Sequence, residues 1–172
     1  MFELYYILYQ FVAKEGDTVK LVRIPVEDAG KLLKMQVEAF RGLYQRYQDT
    51  ETSPATENMN TVLSRLQQPF TYYYYIQENG RNVGAVRVVD KGEQGTPKRI
   101  SPIFILPAYR NQGMAQKAIL AVEELHGKSN WELDTIWQEK ANCYLYEKMG
   151  YYQTGKRKIV NDKMTLVFYR KD

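Results

Sequence analysis

The sequence predicts a single α+β domain with a mixed, mostly antiparallel sheet, helices on both faces and one right-handed strand–helix–strand crossover. Three observations lead there. Apolar residues switch between period two and helical spacing, in the order strands, two helices, antiparallel strands, a strand–helix–strand unit, a short helix and a terminal hairpin. Asn79-Gly80, inside "ENGR", signals a tight hairpin between two strand-like runs. Residues 100–138 hold one strand, one helix and one strand, which makes a parallel pair joined by a right-handed connection. With 172 residues and no repeat, low-complexity tract or linker, residues 1–172 read as one domain.

Residues 2–13 and 18–24 read as two extended segments around the turn "KEGD". In "EDAGKLLKMQVEAFRGLYQRYQ", Leu33, Val37, Phe40, Tyr44 and Tyr47 fall on one stripe at helical spacing. The polar, acidic loop "DTETSPATENMN" follows, with Thr56 or Asn58 placed to cap a helix over "NTVLSRLQQ". "FTYYYYIQ" and "NVGAVRVVD" are the strands of the Asn79-Gly80 hairpin. After the loop "KGEQGTPK", Ile100 to Leu106 reads as a buried strand. From Gly113 onward, Ala115, Ala118, Ile119, Val122 and Leu125 form the apolar face of a helix ending at His126-Gly127. "WELDTIWQ" is the second crossover strand, "ANCYLYEKMG" a short helix closed by Gly150, and "YYQTGKRKIVNDKMTLVFYRK" a final strand pair.

Composition narrows the function classes. Hydrophobic residues make up 44% and charged residues 26%, the balance of an ordinary globular chain. Cys143 is the only cysteine, so no internal disulfide forms and the cytoplasm is the expected compartment. One cysteine and one histidine are too few for a metal site. No apolar run reaches the length of about 18 residues needed to cross a membrane. The apolar start "MFELYYILYQFVAKEG" lacks a basic beginning and reads as a strand, not a signal peptide. A net charge of +4 tilts the surface mildly toward anions. "GKRK", Gly155 to Lys158, is too small a basic cluster to predict nucleic-acid binding. Cys143 has no histidine nearby in sequence and reads as a small buried residue. His126 reads as a charge partner at a helix C-terminus.

The stretch "PAYRNQGMA" lies beyond the carboxyl end of the first crossover strand, where open α/β sheets take their ligands. The first turn of a helix leaves backbone N–H groups without partners, and its dipole favours a negative group there. Gly113 and Ala115 keep bulk away, so a phosphate fits against the amides of residues 111–116. Arg110 either supports the turn or faces the anion. The stretch is neither the glycine-rich dinucleotide fingerprint nor a Gly-x-x-x-x-Gly-Lys-Ser/Thr loop.

Taken whole, "ILPAYRNQGMAQKAI" resembles the acyl-CoA motif of the GNAT superfamily of N-acetyltransferases. The core Arg/Gln-x-x-Gly-x-Gly/Ala is matched by Arg110, Gly113 and Ala115, and the preceding hydrophobic-x-Pro-x-Tyr run by Ile105, Pro107 and Tyr109. "LYEKMGY", Leu145 to Tyr151, is similar to the family's Leu-Tyr-Glu-Lys-x-Gly-Phe signature. The resemblance implies acetyl-CoA as co-substrate and direct transfer of its acetyl group to a primary amine. It implies that backbone groups of Ile103, Phe104 and Ile105 pair with the pantetheine arm as an added strand. The amides of Asn111, Gln112, Gly113, Met114, Ala115 and Gln116 would hold the pyrophosphate. Tyr146 would stand near the thioester sulfur and protonate the leaving thiolate.

The chain departs from the family pattern twice. Glu139 stands where many relatives carry an asparagine that touches the cofactor, leaving Asn142 as the alternative contact. Asp134 stands where some relatives place a glutamate base; being shorter and starting from a lower pKa of about 4, it would need a relaying water or a raised pKa, and Glu132, on the same face by period two, is the alternative. The resemblance also places the acceptor, a small-molecule or peptide amine, among the first two helices, their loop and the last hairpin. Asp49, Glu51 and Glu57 of that loop, with Phe40, Tyr44 and Tyr47, would form an acidic, aromatic rim suited to a polyamine, an aminoglycoside or a peptide amino terminus. The same fold would also serve a catalytically inactive acyl-CoA-binding protein, and the apolar N-terminal strands are compatible with a homodimer.

Overall fold

Alternation along "TYYYYI" decides how the sheet is covered. Tyr73 and Tyr75 turn to one face and pack with Leu32, Met35, Ala39 and Val62, while Tyr74 and Ile76 turn to the other and pack with Ala118, Ile119 and Val122. Two cores therefore form, one on each face, as period-two pleating requires of a strand covered on both sides. The computed structural model describes residues 19–172; the extended segment expected over 2–13 and its turn lie outside the described residues.

Among the described residues, seven strands and four helices follow in chain order: β1 (Lys20–Arg23), α1 (Ala29–Tyr47), α2 (Met59–Gln67), β2 (Thr71–Glu78), β3 (Arg81–Val89), β4 (Lys98–Ile105), α3 (Met114–His126), β5 (Trp131–Ile136), α4 (Lys140–Lys148), β6 (Tyr152–Asn161) and β7 (Met164–Lys171). The sheet order is β1-β2-β3-β4-β5-β7-β6, and only β4 and β5, linked through α3, run parallel. The Asn79-Gly80 turn has positive φ at both residues, as a hairpin of this kind demands. Asn58 caps α2, its Oδ1 accepting the Thr61 N–H at 3.0 Å.

One correction concerns α1. Its buried positions are Ala29, Leu32, Met35, Gln36, Ala39 and Tyr47, so that only Tyr47 of the expected stripe is buried. Gln36 is fully buried because its amide donates to the Pro54 carbonyl and to Glu57, both at 2.8 Å, which satisfies its donors. Of the expected stripe, Phe40, Tyr44 and Tyr47 line a cleft, with Tyr47 also buried against Met164 and Leu166 and Phe40 packed on Phe104. A second correction concerns His126. Its side chain is tucked between Tyr72 and Tyr74, with Nε2 3.0 Å from the Tyr74 hydroxyl. Burial lowers its pKa, against the weaker pull of Asp90. The ring is thus a neutral core group rather than a helix-end cation. The unfolded chain takes up a proton near pH 6.5 that the folded ring refuses, so this contribution to stability is complete above about pH 6.5 and is lost as the pH falls through the folded pKa. Thermal melts from pH 7.5 down to 5 should show that loss, and His126→Gln should flatten it.

β3 meets β4 unusually closely at Gly84. A Cβ added there would lie 2.1 Å from the Phe104 carbonyl oxygen, a backbone atom that cannot move aside. Gly84→Ala should therefore cost about 3 kcal/mol, read as a fall in Tm of roughly 6–12 °C for a chain of this size. A melt unchanged within 2 °C, as an order-of-magnitude threshold, would contradict that close approach.

Candidate active site

β4 and β5 pair only at Lys98↔Trp131 and Arg99↔Glu132, and then part. β4 continues along β3 and β5 along β7, so a gap opens in the middle of the sheet. The Leu106 N–H donates to the Val83 carbonyl at 2.8 Å, which marks that pair as hydrogen-bonded. Alternation along the antiparallel ladder then turns the Phe104 backbone toward β3 and those of Ile103 and Ile105 toward the gap. Phe104 is accordingly a correction: its backbone serves β3, and its ring packs edge-on against Phe40, centroids 5.6 Å apart.

At the end of β4 the chain passes through Asn111 (φ 59°) and Gly113 (φ 75°), both left-handed, and starts α3 at Met114. Among the described residues, none of the backbone N–H groups of residues 111–116 has an acceptor, and no side chain caps the helix. Six neighbouring donors at a helix N-terminus make an anion site. A Cβ built on Gly113 meets nothing within 4 Å, so the space in front of these amides is open. Arg110 does not face that space. Its Nε donates to the Ile105 carbonyl at 3.1 Å and its Nη2 to the Ala39 carbonyl at 2.5 Å, tying the turn to α1. Of the two roles open to it in the sequence, Arg110 takes turn support. The Ile105 carbonyl is thereby occupied, and the Ile103 groups and the Ile105 N–H are those left for an added strand.

α4 closes the gap. Asn142 and Tyr146, one helical turn apart, both line a cleft of about 400 Å³ that runs from the parting strands to the α1–α2 loop. The Tyr146 ring is 7% exposed and sits among Tyr151 and Tyr169, at centroid distances of 6.1 and 5.9 Å. Burial pushes its pKa up to about 12, so it stays protonated at neutral pH. Among the described residues its hydroxyl has no hydrogen-bond partner. Glu139 is engaged elsewhere, accepting from Arg46 and from the Tyr47 hydroxyl, each at 2.5 Å. Between the two contacts left open by the sequence, Asn142 is the one on the cleft. Cys143 is buried, as expected, with its Sγ toward the Ile136 and Trp137 carbonyls.

Asp134 also lines the cleft, and its Oδ1 accepts from the Arg99 guanidinium. The same guanidinium reaches Glu132 at 3.3 Å, so Arg99 bridges β4 to both acidic residues of β5 where the strands part. The far wall is apolar. Ile136 faces Leu166 and Asp134 faces Phe168 across the β5–β7 ladder, and Met164 continues that face. Sequence reasoning missed Arg99 and these β7 side chains. Period two along "MTLVF" groups Met164, Leu166 and Phe168, but only the strand order reveals that they meet Asp134.

The family profile described as "Acetyltransferase (GNAT) domain" matches residues 69–153, from the start of β2 to the start of β6. Over that span the chain carries a GNAT acetyltransferase domain. The profile is that of an acyltransferase, and solved neighbours of this fold carry acetyl-CoA or coenzyme A. A search of curated sequences found no match. Solved GNAT structures share the fold at low identity. The spermidine N-acetyltransferase of Vibrio cholerae, solved with CoA and spermine, matches with TM-score 0.70 at 13% identity over 88% of this chain and 94% of its own. A Salmonella typhimurium acetyltransferase that modifies the N-terminal serine of ribosomal protein L7/L12 gives 0.69 at 14%, over 90% and 95%. The PaiA N-acetyltransferase of Thermoplasma acidophilum, solved with coenzyme A, gives 0.66 at 11%, over 90% and 99%. No cluster of three or more metal-ligating side chains occurs among the described residues.

Proposed function

We propose that this GNAT protein transfers the acetyl group of acetyl-CoA to a primary amine by direct attack in a ternary complex. Two observations carry the reading: six acceptor-free amides lie at the mouth of α3, beyond the end of β4, and Tyr146 lines the cleft where β4 and β5 part. Acetyl-CoA would supply the activated thioester. The amides of residues 111–116 would hold its diphosphate, the Ile103 backbone would align its arm, and Asn142 would face it from α4. An alkylamine reacts only as the free base, so a proton must leave it. Asp134, which lines the cleft and is held by Arg99, would take that proton, directly or through water, with Glu132 as the alternative. The solved neighbours that act on amines by name, on spermidine in one case and a protein N-terminus in another, support the acceptor class at this coarse level.

The test is thiol release from acetyl-CoA across a panel of amines, with calorimetry of acetyl-CoA binding on the same protein. Amine-dependent release above the amine-free rate is the expected result. Binding without release for any amine class would overturn transfer in favour of the non-catalytic, binding-only role.

A further inference from the structure

We infer that the acceptor is a primary monoamine on an aromatic or branched apolar body, and not a polyamine or an aminoglycoside; this rests on the amine-acetylation reading above. The charges on the cleft wall carry it. Among the described residues four charged side chains line the cleft, Asp49, Arg99, Asp134 and Lys158, and their formal charges sum to zero. Each is already engaged. Arg99 is held by Asp134 and Glu132. Lys158, on β6, pairs with Glu51 of the α1–α2 loop. Asp49 is 3% exposed and folded into its own turn, its Oδ1 accepting the N–H groups of Glu51 at 2.9 Å and Thr52 at 2.8 Å and its Oδ2 the Thr52 hydroxyl. The third acidic residue of that loop, Glu57, is turned away to Gln36 and Arg65.

The acidic rim expected from the sequence is therefore neutralised within the protein. A polyamine entering this cleft would bring two or more ammonium groups past the one that reacts, and would strip their water with no free carboxylate to receive them. The rest of the wall is what an apolar body needs. Phe40, Leu43 and Tyr44 of α1 face Ile136, Leu166 and Phe168 across the cleft. A volume of about 400 Å³ lies at the small end of ligand pockets and suits a compact ring better than a long polycation or a trisaccharide. Burying about 100 Å² of ring surface against such walls corresponds to a preference on the order of 50-fold.

The experiment compares kcat/KM for 2-phenylethylamine, spermidine and kanamycin at saturating acetyl-CoA. 2-Phenylethylamine should exceed both by about 50-fold. Spermidine or kanamycin equal to or better than 2-phenylethylamine overturns the inference and leaves amine acetylation standing. No release above the amine-free rate with any amine overturns both. A second variant tests the charge account separately. Lys158→Ala, a half-exposed side chain, frees Glu51 and leaves the cleft with one net negative charge. The preference for 2-phenylethylamine over spermidine should then narrow about fivefold; an unchanged ratio overturns the charge account.

Discussion

Replacing Tyr146 by phenylalanine should lower kcat for acetyl transfer about 10²-fold and leave acetyl-CoA affinity within about twofold. The ring is packed among Tyr151 and Tyr169, and phenylalanine keeps that packing. The hydroxyl has no protein partner among the described residues, so its removal strands no donor or acceptor and the fold should hold. On the proposed reading, what disappears is the proton donor to the leaving thiolate. Its pKa sets the size of the loss. A donor near 12 facing a thiolate whose thiol titrates near 8.5 would spend about 5 kcal/mol on complete proton transfer, so the hydroxyl stabilises the thiolate chiefly by donating a hydrogen bond. That argues for the lower end of the general-acid range of about 10² to 10⁴. Steady-state kinetics with calorimetry on the same samples separates the outcomes. A loss under threefold, as an order-of-magnitude threshold, would remove Tyr146 from the chemistry, and a loss confined to acetyl-CoA affinity would make it a binding residue.

Much of this site could be read from local chemistry, because a helix mouth is a local object. Gly113 and Ala115 announce open amides wherever a strand feeds a helix, and the structure leaves those amides without acceptors. Tyr146 and Asn142 were placed through the resemblance to the family pattern, and the structure sets both on one short helix, one turn apart, lining the cleft. Features that depend on which strands become neighbours were hidden. Nothing in "KRISPIFIL" says that Arg99 will reach two carboxylates on β5, since that contact needs the crossover to close and then to part after two residue pairs. Phe104 was placed wrongly for a subtler reason. Period two gives the face of a side chain, but whether a backbone points to the left or the right neighbour depends on register, fixed here by the Leu106–Val83 bond. The acidic loop misled in the same way. Asp49, Glu51 and Glu57 look like a cation trap in sequence, but Asp49 is taken up by its own turn, and Glu51 and Glu57 meet Lys158 of β6 and Arg65 of α2 once the fold assembles.

Ala115→Asp should weaken acetyl-CoA binding by about 10²-fold while leaving Tm unchanged or slightly raised, and the opposition of those two signs is what gives the variant its value. Ala115 is the second residue of α3, in the first turn, where a carboxylate interacts favourably with the helix dipole by about 0.3–1 kcal/mol. If the turn were merely structural, the substitution would be neutral or helpful in every assay. If the amides of residues 111–116 grip a diphosphate, the same carboxylate stands beside like charge. Two unit charges 4 Å apart repel by about 4 kcal/mol at an effective dielectric of 20, and solvent at this half-exposed position reduces that toward the 10²-fold stated. Repulsion of this kind is screened by salt, so the deficit against the unmodified protein should shrink between 50 and 500 mM salt, roughly the range over which the Debye length falls below the separation of more distant charges. Calorimetric titration with coenzyme A, with melts on the same samples, reads both quantities. Undiminished affinity in Ala115→Asp would mean that the mouth of α3 does not bind the cofactor's phosphates, and acetyl-CoA would then have to enter this protein by another surface.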